Sequence, residues 1–292
     1  MANLKTPILY LVFNRPELVK RTFVEIQKAK PVRLFIAADG PRDEEEKKKT
    51  DEVRQYILKN INWKCEVKTL FRKKNLGCKN AVSSAITWFF ENVEGGIILE
   101  DDCLPDRSFF RYCQELLIKY KNNKNIMHIG GSNFCGCGWN NNSYYFSKYP
   151  HIWGWATWRG AWEGYDKNVS TLTNDKIKRQ YPSLIEQKFM LKRFERIKLG
   201  ISDTWDYQWM WNIKINNGIC ITPTQNMVGN IGFSDEASSH TSKNFWDNFF
   251  VVKKVRATSF PLKHPKKIKL SSYQDKKELC ADAIRVILKK LF

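Results

Sequence analysis

Glu100, Asp101 and Asp102 stand in a row at the end of the apolar run Ile97-Ile98-Leu99. Three adjacent carboxylates raise one another's pKa, and a cation relieves the repulsion. A hard divalent ion with oxygen ligands, Mg²⁺ or Mn²⁺, suits that cluster, and such ions favour sites shared with substrate phosphates. The competing reading is a solvated helix N-terminus, because acids favour that position and Pro105 follows closely. Asn14-Arg15 closes one other apolar run, Asp39 closes a second, and Arg72 to Asn75 follow a third. A basic surface around such acids would attract a diphosphate.

The elements that must carry these residues are legible in the hydrophobic pattern. Residues 7–13, 32–38, 65–70 and 97–99 read as strands; 17–28, 43–60 and 79–92 read as helices between them. Short apolar strands alternating with helices predict an α/β domain, a mostly parallel mixed sheet flanked by helices. In an open parallel sheet, ligands bind beyond the carboxyl ends of the strands. The polar residues after each strand should therefore converge on one crevice. Beyond residue 105 the pattern predicts a helix over 108–120, a strand over 126–129, a loop-rich stretch over 130–165, helices over 183–200 and 203–217, and a short strand over 220–222. Internal repeats and long linkers are absent from the sequence.

Composition bounds the function. The chain has 292 residues, 42% of them hydrophobic, and 49 Lys or Arg against 30 acids, a net charge of +19. That apolar content is globular rather than disordered, and no uncharged apolar stretch is long enough to span a bilayer. Residues 1–7 lack the order of a secretory signal, so a cytoplasmic location is expected. The eight cysteines are too sparse for a disulfide framework. Cys135-Gly136-Cys137, with His128 and His151 nearby, could form half of a zinc site, but no second close Cys pair accompanies it, and free thiols are the simpler reading. Residues 253–290 carry 12 Lys or Arg against 3 acids. Within this tail, 275–292 reads as an amphipathic helix with Cys280, Ile284, Ile287 and Leu291 on one face. Such a helix either lies on an anionic membrane surface, at its inner face, or docks on its own domain.

Trp153, Trp155, Trp158 and Trp162 fall within ten residues. Aromatic faces suit the C–H faces of sugar rings, and the alternative is a core cluster. Trp155 and Arg159 are the acceptor-side candidates, Arg159 because an acidic or phosphorylated acceptor needs a guanidinium fork.

Asp39-Gly40, the stretch Arg72 to Asn80, the run Leu99 to Asp102, Pro105 to Phe110, Gly154 to Arg159, Trp205 to Trp209 and Asn230 to Phe233 together resemble nucleotide-sugar glycosyltransferases of the GT-A, Rossmann-like fold, and among them the N-acetylglucosaminyltransferase I-like group. The resemblance covers roughly residues 7–250. It implies a metal-dependent inverting transfer from a nucleotide diphosphate donor, a UDP-sugar first, to a hydroxyl of a surface glycan or a lipid-linked acceptor. Residues 1–105 would be the nucleotide-binding half, 106–250 the acceptor half and 251–292 a basic tail. By the same resemblance Asn14, Arg15 and Arg72 would contact the nucleotide, Asp39 the uracil edge, and Asn75 and Lys79 would run beneath nucleotide and sugar. Asp101 would touch the ribose or sugar, Glu100 the sugar or the metal's water shell, and Asp102 would ligate Mn²⁺ or Mg²⁺. The 230–245 loop would close over the donor, with His240 on the diphosphate. The general base would lie in the Trp-Asp stretch: Asp206 is the first choice and Asp203 the second, an N-cap being the other reading for Asp203. A non-catalytic carbohydrate-binding protein remains an alternative. A nucleic-acid-binding protein is disfavoured, because no helix-turn-helix, zinc-finger or ribonucleoprotein signature occurs and the excess charge sits in the tail.

Overall fold

In a computed structural model, residues 3–134, 141–181, 183–232 and 254–279 are described. The first half alternates as expected: β1 (Ile8–Val12), α1 (Pro16–Ala29), β2 (Arg33–Ala38), α2 (Glu44–Lys59), β3 (Glu66–Phe71), α3 (Gly77–Asn92) and β4 (Gly95–Glu100). Local chemistry sets the boundaries. Pro16 opens α1, where a missing N–H costs nothing, and Lys30 ends it in the left-handed region at φ 48°. Asp43 caps α2 by accepting from the Glu46 amide at 2.8 Å.

The second half adds β5 (Cys103–Pro105), α4 (Arg107–Tyr120), β6 (Ile126–Gly130), β7 (Tyr144–Ser147), β8 (Trp155–Trp158), α5 (Arg159–Trp162), α6 (Asn174–Gln180), α7 (Leu184–Lys198), α8 (Asp206–Ile215), β9 (Ile219–Pro223) and β10 (Val228–Asn230). One eight-stranded sheet takes the order β3-β2-β1-β4-β8-β6-β9-β7. All of it is parallel except β8 and β7. The stretch expected to be loop-rich thus contains two sheet strands. Each is only four residues long, too short for a period of two to show, and neighbouring Gly, Asn and Pro mask it.

Alternation along the strands feeds two cores. Ile8, Tyr10 and Val12 of β1 join α1, α2 and α4 on one face, while Leu9 and Leu11 join α3, α5 and α8 on the other. A third cluster, with Ile177, Phe194 and Trp211, holds α6 and α7 against α8.

Residues 254–279 lie along the domain rather than apart from it. The Thr258 amide donates to Ser108 Oγ at 3.0 Å, the Lys263 amide donates to Ser143 Oγ at 2.9 Å, and Leu270 bridges to Phe146 of β7. The last described helix spans 272–279 and turns Asp275 and Glu278 inward, onto Ser147 and His151. The start of the expected amphipathic helix is therefore docked on the domain. Its continuation, 280–292, lies outside the described residues.

β1 sits between β2 and β4, and the chain leaves it towards β2 before returning to β4 on the other side. That reversal of strand order opens a crevice between the carboxyl ends of β1 and β4.

Candidate active-site cleft

Across this crevice the turn after β1 is stitched to the end of β4. The Arg15 guanidinium donates to Asp101, and to Asp102 Oδ2 at 3.2 Å. The Phe13 amide donates to Asp101 Oδ2 at 3.3 Å, and the Thr22 hydroxyl holds the Asp101 carbonyl at 3.1 Å. Asp101 is buried; burial raises its pKa, with Arg15 opposing.

A second pair of loops closes the adjoining wall. The Asp39 carboxylate accepts the Gly40 amide at 2.9 Å and the Leu76 amide at 3.1 Å. Asn75 Nδ2 donates to the Gly40 carbonyl at 2.9 Å. A Cβ on Gly40 would fall 2.4 Å from the Lys74 backbone, so only glycine allows the two loops to meet this closely. Burial raises the Asp39 pKa, against the pull of the Leu76 and Gly40 amides. Arg72 Nη2 donates to Ser84 Oγ at 2.7 Å.

These walls enclose a cleft of about 780 Å³ whose lining includes Asn14, Arg15, Asp39, Arg72, Asn75, Glu100, Asp101 and Asp203. Arg42, Asp43, Glu46 and Lys49 also line it, which the sequence did not reveal. Glu46 is buried among exposed acids of the same helix; Asn14 Nδ2 donates to it at 3.0 Å, as does Arg42 Nε. Nothing in the run Glu44-Glu45-Glu46 distinguishes the inward residue except its helical phase, which needs the helix's outer and inner faces to be known.

The second half of the chain reaches the cleft at Asp203, while the side chains of Asp206 and Asp102 lie outside its lining. Asp203 accepts the amides of Cys78 at 2.7 Å and Lys79 at 2.9 Å, so it caps α3 from across the sequence. The N-cap reading for Asp203 thus holds for another helix: α8 begins at Asp206, with Trp205 in its own cap position. Asp206 accepts from the Thr204 hydroxyl, and its charge is one of those acting on Glu100. Lys79 meets this corner through its amide, and its side chain is not among the cleft-lining groups.

Glu100 is the electrostatic outlier. Burial, then the Asp102 and Asp101 carboxylates, push its pKa up to about 8 from an ordinary 4.5, against Arg15. Among the described residues no group donates a hydrogen bond to its carboxyl. Also among the described residues, no three His, Cys, Asp or Glu side chains already form a metal-holding set. The donor chemistry nonetheless fits a hard cation, since the carboxylates of Asp102 and Glu100 are the oxygen donors such an ion takes. Arg15 takes one oxygen of Asp102, and among the described residues the other accepts from the Cys103 thiol at 3.6 Å.

β10, paired with β5, brings the chain onto this corner: the Ile231 amide donates to the Asp102 carbonyl at 2.9 Å. A Cβ on Gly232 would stand 2.8 Å from Asp102 Oδ2. His240, Cys135 and Cys137 lie outside the described residues.

Two acceptor-side expectations are corrected. Trp155 is fully buried, stacked on Trp205 at 5.7 Å and on His128 at 5.1 Å between ring centroids. It is a core residue of β8, with no face for a sugar. Arg159 lies at the opposite end of the sheet, because β8 runs antiparallel to β4 and Trp158 pairs with Gly95. There it donates to the Phe90 carbonyl at 2.6 Å at the carboxyl end of α3 and pairs with Glu94 at 2.9 Å.

No protein-family model and no curated protein matches the chain. Among solved structures, it is similar to the crystal structure of HddC from Yersinia pseudotuberculosis, with 8% identity and a TM-score of 0.34, over 53% of this chain and 77% of that one. It is also similar to a UDP-glucose pyrophosphorylase solved with UDP-glucose, with 10% identity and a TM-score of 0.39, over 75% of this chain and 90% of that one.

Proposed function

We propose that the chain is a metal-dependent inverting glycosyltransferase. It takes a sugar from a nucleotide diphosphate, a UDP-sugar first, and delivers it to a hydroxyl of a surface glycan or lipid-linked acceptor. The observation that carries this reading is the meeting of Arg15 with Asp101 and Asp102 across the β1–β4 switch point, beside a Glu100 that cannot easily ionise alone. A cleft floor of that kind calls for a cation and suits a diphosphate brought in with it.

Asp102 and Glu100 would hold Mn²⁺ or Mg²⁺, which when bound supplies charge stabilisation for the departing diphosphate. Arg15, already at that corner, faces the phosphates. Asp39 offers a carboxylate to the base edge, and Asn14, Arg72 and Asn75 line the nucleotide path. Asp206 takes the proton of the acceptor hydroxyl as its oxygen bonds to the anomeric carbon. The bond from that carbon to the phosphate oxygen breaks on the far side, so the anomeric centre inverts and the nucleoside diphosphate leaves. Asp203 is already occupied by two amides, which supports Asp206 as the base.

The alternative readings lose support from the same geometry. A sugar-binding module would want an exposed aromatic platform, and Trp155 is buried. A nucleic-acid binder would not line its cleft with acids.

A thermal-shift screen tests the reading. UDP with Mn²⁺ should raise the melting temperature, EDTA should cancel the gain, and Asp102→Ala should lose it. Asp206→Asn should abolish transfer while leaving UDP binding intact. No response to any nucleoside diphosphate with metal would end the proposal.

A further inference from the structure

Helix α7 turns an unusual surface to solvent. Its inner stripe, Met190, Phe194 and Ile197, is buried in the third core cluster. Its outer stripe leaves Leu184 73% exposed and Ile185 68% exposed, with Leu199, just past the helix, at 66%. At about 100° of turn per residue these three share an arc of roughly 100° with Lys188, Lys192 and the exposed Glu195. Residues 174–201 carry eight Lys or Arg against three acids. One of those acids, Glu186, points inward, accepting from Tyr149 Oη at 3.1 Å.

We infer that this face of α7 docks on an anionic lipid bilayer. Exposed branched aliphatic side chains enter the acyl boundary while lysines between them meet acidic headgroups. A second copy of the chain fits worse, because two lysines against Glu195 leave the face net positive, and an isologous pairing would oppose it to itself. No described helix is long and apolar enough to cross a membrane, so the contact is peripheral.

The placement of α7 joins this face to the rest of the molecule. Its first turn is anchored at Tyr149, two residues from Ser147, which donates to Asp275 of the 272–279 helix at 2.7 Å. The 272–279 helix of the basic C-terminal segment therefore lies beside it. From its other end the chain runs through Leu199 and Ile201, the latter 57% exposed, straight to Asp203 in the cleft lining. A bilayer on this face would hold a lipid-linked acceptor at the rim of the cleft, on the side of residues 203–206. That last step rests on the transfer reaction proposed above; the docking itself does not.

Flotation of the full-length chain with vesicles tests the docking. It should bind vesicles of phosphatidylglycerol and phosphatidylcholine and not those of phosphatidylcholine alone. Leu184→Ser with Ile185→Ser, and separately Lys188→Glu with Lys192→Glu, should each weaken binding about tenfold or more. Both variants should keep the parent's circular dichroism and melting temperature. Binding unchanged in both variants but lost in Arg285→Glu with Lys289→Glu would assign the membrane contact to the tail and overturn the inference. So would a wild-type chain that ignores anionic vesicles, or a dimer that the Leu184–Ile185 variant dissolves.

Discussion

Asp203 accepts the Cys78 amide proton at 2.7 Å, linking residues 125 positions apart and capping α3 with a side chain from the other half of the chain. The cap seals the amino end of α3, where an anion would otherwise bind, and pins the 203–206 segment at the cleft. Asparagine caps almost as well as aspartate. Asp203→Asn should therefore keep both transfer and stability, whereas Asp203→Ala should lose about 1 kcal/mol in urea unfolding. Abolished transfer in the Asn variant, with nucleotide binding intact, would make Asp203 the base instead of Asp206.

Arg15 is the counter-ion of a buried carboxylate. Removing it in Arg15→Ala leaves Asp101 buried and unpaired, a change that costs about 3 kcal/mol where such pairs are broken. The loss should be read in denaturant midpoints and should shrink when Mn²⁺ is added, because the divalent ion proposed at Asp102 would supply part of the missing charge. A loss identical with and without Mn²⁺ would place no cation at this corner.

Glu100 sets a pH dependence of known sign. In the folded chain its proton is held up to about pH 8, while an unfolded chain releases it near 4.5. Between those values the folded state binds the extra proton, so this residue's contribution to stability falls as pH rises through the window and levels off above it. Glu100→Gln should flatten that slope. Stabilisation by Mn²⁺ should grow over the same window, since ionised Glu100 is the better ligand, and should lose this growth in the Gln variant.

Trp155 and Arg159 separate folding from binding. Trp155→Ala should cost about 3–5 kcal/mol as a core deletion. Trp155→Phe loses no hydrogen bond, because the indole Nε1 has no partner among the described residues, and it should leave the KM for acceptor unchanged. Arg159→Gln should weaken the carboxyl end of α3 by about 1 kcal/mol, again without effect on acceptor kinetics.

The buried run Ile8–Val12 and the acids after Leu99 were legible as strand and strand-end because fully apolar strands punctuated by polar turns have few other readings. Trp155 is ambiguous in the sequence for the converse reason. A tryptophan beside glycine looks alike in a core and in a sugar platform, and only its neighbours from α8 decide between them. Likewise Trp155–Trp158 is too short to announce a strand; it became one because the exposed edges of β4 and β6 needed a partner between them.

Local sequence, then, determined what is written in consecutive residues: the alternation of strand and helix, the caps, and the carboxylates at the end of β4. Tertiary structure decided what depends on distant segments meeting. It set Arg15 against Asp101 and Asp102, gave Asp203 to α3, buried Glu46 and Trp155, and sent Arg159 to the far end of the sheet. Hydrophobic periodicity is encoded within a few residues, but the partner of a charge is fixed only when strand order brings two loops to the same crevice.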